Sequence, residues 1–206
     1  VVEPDALDGT LNKYKVLYLT DVHVSQAASK KIAEWVQNGG QLFATAGAGM
    51  FDELNRPNVA LRKLLGVEPA ALLQPEEAKI TWIKQDLPFA KAIDSAVLDD
   101  ERVKLTSPRI DQKFTLPVIG VKSRYTAATD SDVIYRFSDQ SPAVIRRATA
   151  KGTITYCGLL PGLSYYQPAV PKRPVDRGAT DDAMVHFLPT EFDKEAADLI
   201  AWPTRN

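Results

Sequence analysis

The stretch YKVLYLTDVHVSQAASKKIAEWVQNGGQLFATAGAGMFDE, residues 14–53, decides the fold. YKVLYLTDV (14–22) is a continuous apolar, β-rich run, the pattern of a strand covered on both faces. Ser25 is a fitting N-cap for the segment after it, and Ala28, Ile32, Trp35 and Val36 fall at helical spacing on one stripe. Gly39 and Gly40 supply a helix exit, and QLFATA (41–46) is a second short buried strand. Strand, helix and strand with such short connections predict a right-handed parallel βαβ unit.

NVALRKLLG (58–66) places Leu61, Leu64 and Leu65 on one helical face and stops at Gly66. From about residue 79 to 160 the character changes. KITWI, ERVKLTSPRI, TLPVIGVKSRYT, DVIYRFS, AVIRRAT and TITYCGLL are short β-branched and aromatic segments divided by Asp, Ser, Pro and Gly. The last two, joined through AKG, read as a hairpin with glycine at its turn. PAVPKRPVDRG (168–178) reads as an exposed loop, and Thr190 with Asp193 forms a capping box for a terminal helix with Phe192, Ala196, Leu199 and Ile200 on its apolar stripe. The expected organisation is one domain over 1–206: a βαβα part at 1–78, a strand-rich part at 79–166, and a loop and helix at 167–206. The first residues, VVEPDALDG, read as the end of a strand entering a loop, and the chain has the look of a piece of a larger polypeptide.

Composition narrows the function. Apolar residues make up 45% of the 206, charged residues 25%, and the net charge is −1. A balance this even provides no field for nucleic acid, and no apolar run approaches the roughly 20 residues a bilayer crossing needs. The single cysteine, Cys157, rules out an internal disulfide and a thiolate metal cluster while leaving the compartment open. Two histidines with no H-x-x-x-H spacing point away from zinc, and the residues indicate no cofactor.

In open α/β sheets the ligand crevice lies at the carboxyl ends of the strands, so Asp21 and His23 share a rim with the glycine turn TAGAGMFDE (45–53). The candidate ligand-binding residues are Asp21, His23, Thr45, Gly47, Gly49, Asp52, Glu53 and Arg56, with Tyr165 and Tyr166 beside them as aromatic faces for a sugar ring or a neighbouring subunit. The local alternative is that Asp21 and Ser25 cap a helix and the glycines make a tight turn, while Asp52, Glu53, Asn55 and Arg56 form a hydrogen-bonded knot that orders the loop. Neither GxGxxG nor GxxxxGK[ST] is present, which argues against a nucleotide loop. Asp52 and Glu53 are adjacent, whereas a glycosidase pair stands across a cleft. The enzymatic rival is a hydrolase or transferase using Cys157 or Ser164 with His186, or Cys157 with His23, although Cys157 lies within a strand pattern where free cysteines are small buried hydrophobes.

The segment from Tyr14 to Val67, with its "W-V-x-x-G-G-x-L" helix exit, glycine turn followed by "DE" and "L-x-x-L-L-G-V", resembles the trimerisation domain of family-42 β-galactosidases and related modules of large glycosidase-like proteins. SPAVIRRATAKGTITYCGLLPGLSYY (141–166) is similar to that family's "P-A-V … G-K-G … Y-x-G … P-G" stretch, so the likeness spans about residues 1 to 166. The resemblance implies a variant of the class I glutamine amidotransferase fold, a flavodoxin-like α/β three-layer sandwich, here with a strand-rich second half. In amidotransferases a cysteine stands at the elbow "G-x-C-x-G". That place falls at about Ala46, whose methyl group cannot attack an amide, and Thr45 beside it has no adjacent base. No H-x-E supplies the family's histidine–glutamate pair. The implied role is a non-catalytic module attached to other domains of a carbohydrate-related parent polypeptide, with subunit contacts, a homo-oligomer and carbohydrate as candidate partners. Sugar sensing without turnover is the third reading.

Overall fold

The computed structural model describes residues 3–74, 92–99, 115–169 and 191–205. The expected βαβ unit is present. Strand β1 (Val16–Leu19) leads into helix α2 (Gln26–Gln37), and β2 (Gln41–Ala44) returns parallel to β1 with Val16 opposite Gln41. A short helix α1 (Glu3–Leu7) precedes them. The Ser25 hydroxyl accepts the Ala28 N–H at 3.1 Å, and Ala28, Ile32, Trp35 and Val36 are all buried. Helix α3 (Val59–Leu65) is capped by the Asn58 side chain on the Leu61 N–H, and it ends at Gly66.

The strand-rich half contributes β4 (Asp94–Leu98), β5 (Thr115–Val118), β7 (Asp132–Phe137), β8 (Pro142–Ala148) and β9 (Thr153–Cys157). They join β1 and β2 in one seven-stranded sheet, ordered β1-β2-β9-β8-β7-β4-β5. β9 pairs parallel with β2 and antiparallel with β8, so three parallel strands continue into an antiparallel meander. β3 (Val67–Leu73) and β6 (Lys122–Ala127) form a separate antiparallel ribbon.

Alternation along the strands divides the core into two layers. Leu42, Ala44, Ile154 and Tyr156 pack with Ile32, Trp35, Leu61 and Leu65 of α2 and α3. Phe43 and Cys157 face the other way, with Ile134, Phe137 and Leu116, against α4 (Pro161–Tyr166) and α5 (Lys194–Ala201). The result is a three-layer α/β arrangement with helices on both faces of a mixed sheet.

Several expectations are corrected. The pattern of β1 suggested cover on both faces, but β1 is an edge strand and Tyr18 is 41% exposed. TLPVIGVKSRYT is not one strand: the chain turns at Gly120 (φ 75°) and places β5 and β6 in different sheets. The terminal helix begins at Lys194, with Asp193 rather than a residue upstream as its cap, accepting the Ala196 N–H at 2.8 Å. Thr190, KITWI, ERVKLTSPRI and most of the 168–178 loop lie outside the described residues.

An ion cluster, buried at the Lys122 and Asp94 side chains and open to solvent at Asp139, ties the meander to the ribbon. Lys122 Nζ donates to Asp94 at 2.6 Å and to Asp139 at 2.9 Å, and lies 4.3 Å from the Phe137 ring centroid. Burial pushes the Asp94 carboxyl up, but bonds from Lys122, Ser138 and Ser95 outweigh it and hold the group below the usual range. The bond from Lys122 also lowers Asp139. Lys122 and Asp94 are both buried, so Lys122→Met strands a carboxylate; the expected cost is about 3–5 kcal/mol in chemical denaturation. Because both carboxyls are depressed, their stabilisation is complete above the ordinary carboxylate pKa and is lost as pH falls below it. The wild type should therefore lose stability toward pH 3 more steeply than Lys122→Met, and parallel acid profiles would refute the assignment.

Candidate functional site

The parallel register of β1, β2 and β9 brings residues 20–25, 45–56 and 158–166 to one end of the sheet, as the strand-end argument predicts. The first two segments continue the pairing beyond the strands. The Gly49 N–H donates to the Asp21 carbonyl at 2.8 Å, Phe51 to Val22 at 3.0 Å, and Val24 back to the Phe51 carbonyl at 3.0 Å. His23 stacks on Phe51 with ring centroids 5.6 Å apart, and its Nε2 lies 3.0 Å from Asn55 Oδ1.

The loop carboxylates are committed to holding the loop. Asp52 is 1% exposed and accepts the N–H groups of Leu54 and Arg56 at 2.9 and 2.8 Å, Arg56 Nε at 3.1 Å and Gln26 Nε2 at 3.4 Å. Burial raises its pKa, and these donors more than offset that, so the carboxyl titrates below its usual value. Glu53 accepts the Gln26 N–H at 2.8 Å, at the first turn of α2. Asp52, Glu53, Asn55 and Arg56 thus form the knot that the sequence offered as the local alternative. Asn58 adds a buried anchor beneath it, donating to the Val24 carbonyl and the Ser29 hydroxyl.

Accessibility separates the ten candidates. Thr45, Gly47, Gly49 and Asp52 are buried, while Asp21, His23, Glu53 and Arg56 face solvent. Asp21 and His23 line a groove of about 250 Å³ with Glu3, Leu17, Tyr18 and Thr20. Tyr165 stacks on Phe192 at 4.7 Å and packs against the core, while Tyr166, 44% exposed, lies tilted against the same Phe192 ring at 6.1 Å and is the more open of the two.

At the elbow, Ala46 is buried, and its N–H donates to the Leu159 carbonyl. Over the glycine turn that follows lies the β3–β6 ribbon. A Cβ on Gly47 would sit 3.1 Å from Leu72 Cδ1, and the Ser123 hydroxyl of β6 lies 2.9 Å from the Tyr156 hydroxyl. The cavity left between ribbon and turn is about 10 Å³, room for no more than a water molecule. This cover is the feature the sequence did not reveal, because VEPAALL carries no strand signature. Among the described residues, no group of three or more His, Cys, Asp or Glu side chains could hold a metal, and no helix is long and apolar enough to cross a membrane.

The rival nucleophiles are poorly placed. Cys157 is fully buried, and burial pushes its thiol up to about 12. The buried Ser164 hydroxyl donates to the Pro117 carbonyl. His186 lies outside the described residues. Native protein at pH 8 should therefore resist iodoacetamide, with Cys157 labelled only after denaturant is added. Rapid alkylation of the folded chain would restore the thiol as a candidate nucleophile.

Comparison with known proteins agrees with this geometry. The fold is similar to a catalytic mutant of Gan42B, a GH42 β-galactosidase from G. stearothermophilus (19% identity, TM-score 0.56, covering 75% of this chain and 20% of that one). It is similar to the β-galactosidase from Bacillus circulans sp. alkalophilus (15% identity, TM-score 0.57, 76% and 22%). A third likeness is to Cytoplasmic Protein STM3548 from Salmonella typhimurium (18% identity, TM-score 0.52, 76% and 64%). The chain spans about a fifth of the length of the β-galactosidases it matches. No curated protein matches the sequence at a significant level. Residues 1–172 match the family model of the β-galactosidase trimerisation domain, and the chain therefore belongs to that family.

Proposed function

We propose that this chain is an assembly module of a larger, carbohydrate-related protein, holding subunits together and performing no reaction of its own. The observation that carries this reading is the covered elbow. Where an amidotransferase-like scaffold would present its nucleophile, this chain has the buried methyl group of Ala46, and Leu72 of the β3–β6 ribbon packs over Gly47 beside it. A substrate would have to displace packed side chains to reach it. The knot beside it does what an interface needs. It fixes the loop before any partner arrives, so association does not bear the cost of ordering it. The ordered loop and the start of α3 hold Leu54 and Val59 out in solvent at 64% and 68% exposure. Residues 1–206 act as one unit in this reading, and the partners are further copies and the other domains of the parent polypeptide.

A second reading, carbohydrate binding without turnover, is favoured by the open ring of Tyr166 and by the solvent-facing Asp21, His23, Glu53 and Arg56. Under it, sugars bind saturably, and Tyr166→Ala weakens that binding.

Light scattering after size exclusion, over a range of concentrations, tests the first reading. A stable oligomer, with the trimer expected, supports it, and Leu54→Asp with Val59→Asp should shift the population toward single chains. A mass fixed at one chain at every concentration would overturn assembly by this chain.

A further inference from the structure

The two edges of the large sheet are built differently. β5 carries Pro117, which has no N–H to offer a neighbour, and the Ser164 hydroxyl bonds its carbonyl. Such devices keep an edge from recruiting further strands. β1 has none of them. Val16, Leu17, Tyr18 and Leu19 include no charge and no proline, and the register with β2 runs without a bulge. The sequence pattern of an inner strand is found at an edge.

The side of β1 that carries no partner strand among the described residues is also equipped to bond. Gln41 and Thr45 donate to the carbonyls of Lys15 and Leu19, so the odd-numbered residues direct their backbone groups toward β2. Backbone direction alternates along a strand, and Val16, Tyr18 and Thr20 therefore point N–H and C=O outward. Beside this edge runs the 250 Å³ groove, with Ala6, Leu11 and Leu17 along its apolar wall and Glu3 and Asp21 among its lining. Among the described residues no lysine or arginine lines it, and neither carboxylate has an ion-pair partner.

We infer that the open edge of β1 is a docking site for one further β-strand from polypeptide other than this chain, a strand apolar toward Ala6, Leu11 and Leu17 and basic where it passes Glu3 and Asp21. The backbone of Val16, Tyr18 and Thr20 supplies the ladder, and the two carboxylates supply selectivity. A second copy would bring an identical acidic groove against this one, so the charges favour a different, basic strand. The inference goes beyond the assembly reading and does not rest on it.

The probe is a synthetic decapeptide of alternating valine and threonine with a lysine at each end, compared with the same peptide carrying glutamate at those positions. The expected result is saturable binding of the lysine peptide, with slowed hydrogen exchange at the Val16, Tyr18 and Thr20 amides. Binding of the glutamate peptide should be weaker by about tenfold or more, and Asp21→Lys should weaken the lysine peptide similarly. The Asp21 side chain is exposed, so a circular dichroism spectrum like the wild type's is expected for that variant. Equal binding of both peptides, or unchanged exchange at the three amides, would overturn the inference. So would protection of those amides in the peptide-free protein that grows with concentration alongside a dimer mass, since the edge would then serve a second copy.

Discussion

β2 is hydrogen-bonded on both sides by parallel neighbours, and the rim depends on that pairing. Four residues, Gln41–Ala44, align with Val16–Leu19 on one side and with Thr153–Tyr156 on the other. Parallel strands share the direction in which they end, so the three following segments must leave from one end of the sheet. The ladder does not stop at Ala44. Thr45 donates to Leu19 and Ala46 to Leu159, after which Gly49 and Phe51 bond the segment that follows β1. What reads in sequence as a loop is thus the frayed continuation of a sheet, and its rigidity comes from backbone bonds already present in the strands.

That rigidity decides how the polar residues are used. It is visible at Asp52, Asn58 and Ser123, whose buried side chains are engaged with the protein, while Thr45 Oγ1 and the Tyr125 hydroxyl are buried without a partner among the described residues. Asp52 takes four donors, Asn58 bridges Val24 and Ser29 while capping α3, and Ser123 meets Tyr156. Groups satisfied in this way make a single loop conformation and leave little to offer a ligand. Glu3, Asp21 and His23 are exposed and line the groove along the flank of β1.

The parts of the fold legible in the sequence are those whose signals are local. Ser25, the Ala28–Val36 stripe, Gly66 and the β8–β9 hairpin each follow from contacts a few residues apart, and the structure has them. β3 was not legible, because Val67–Leu73 contains a proline and two alanines and becomes a strand only through Lys122–Ala127, some 50 residues away. The edge position of β1 was hidden for the same reason, since strand order is a property of partners. Of the candidate rim, the knot at Asp52 was legible from turn chemistry, but the packing over Gly47 comes from the ribbon and that over Gly49 from α3, and so was not.

The glycines of the turn are where the sequence was most open to a chemical reading, and packing accounts for them. Gly49 has φ 62°, and a Cβ there would lie 2.5 Å from Leu61 Cδ1, inside the packed face of α3. Gly47 has φ 80° and lies beneath Leu72. Both positions require glycine to let a helix and a ribbon close over the turn, whether or not a nucleophile follows. A Gly-x-Gly bend after a buried strand is therefore evidence of close approach, and what approaches here is the protein itself. This chain fills the space over the bend with Leu61 of α3 and Leu72 of β3, an arrangement that makes the turn rigid.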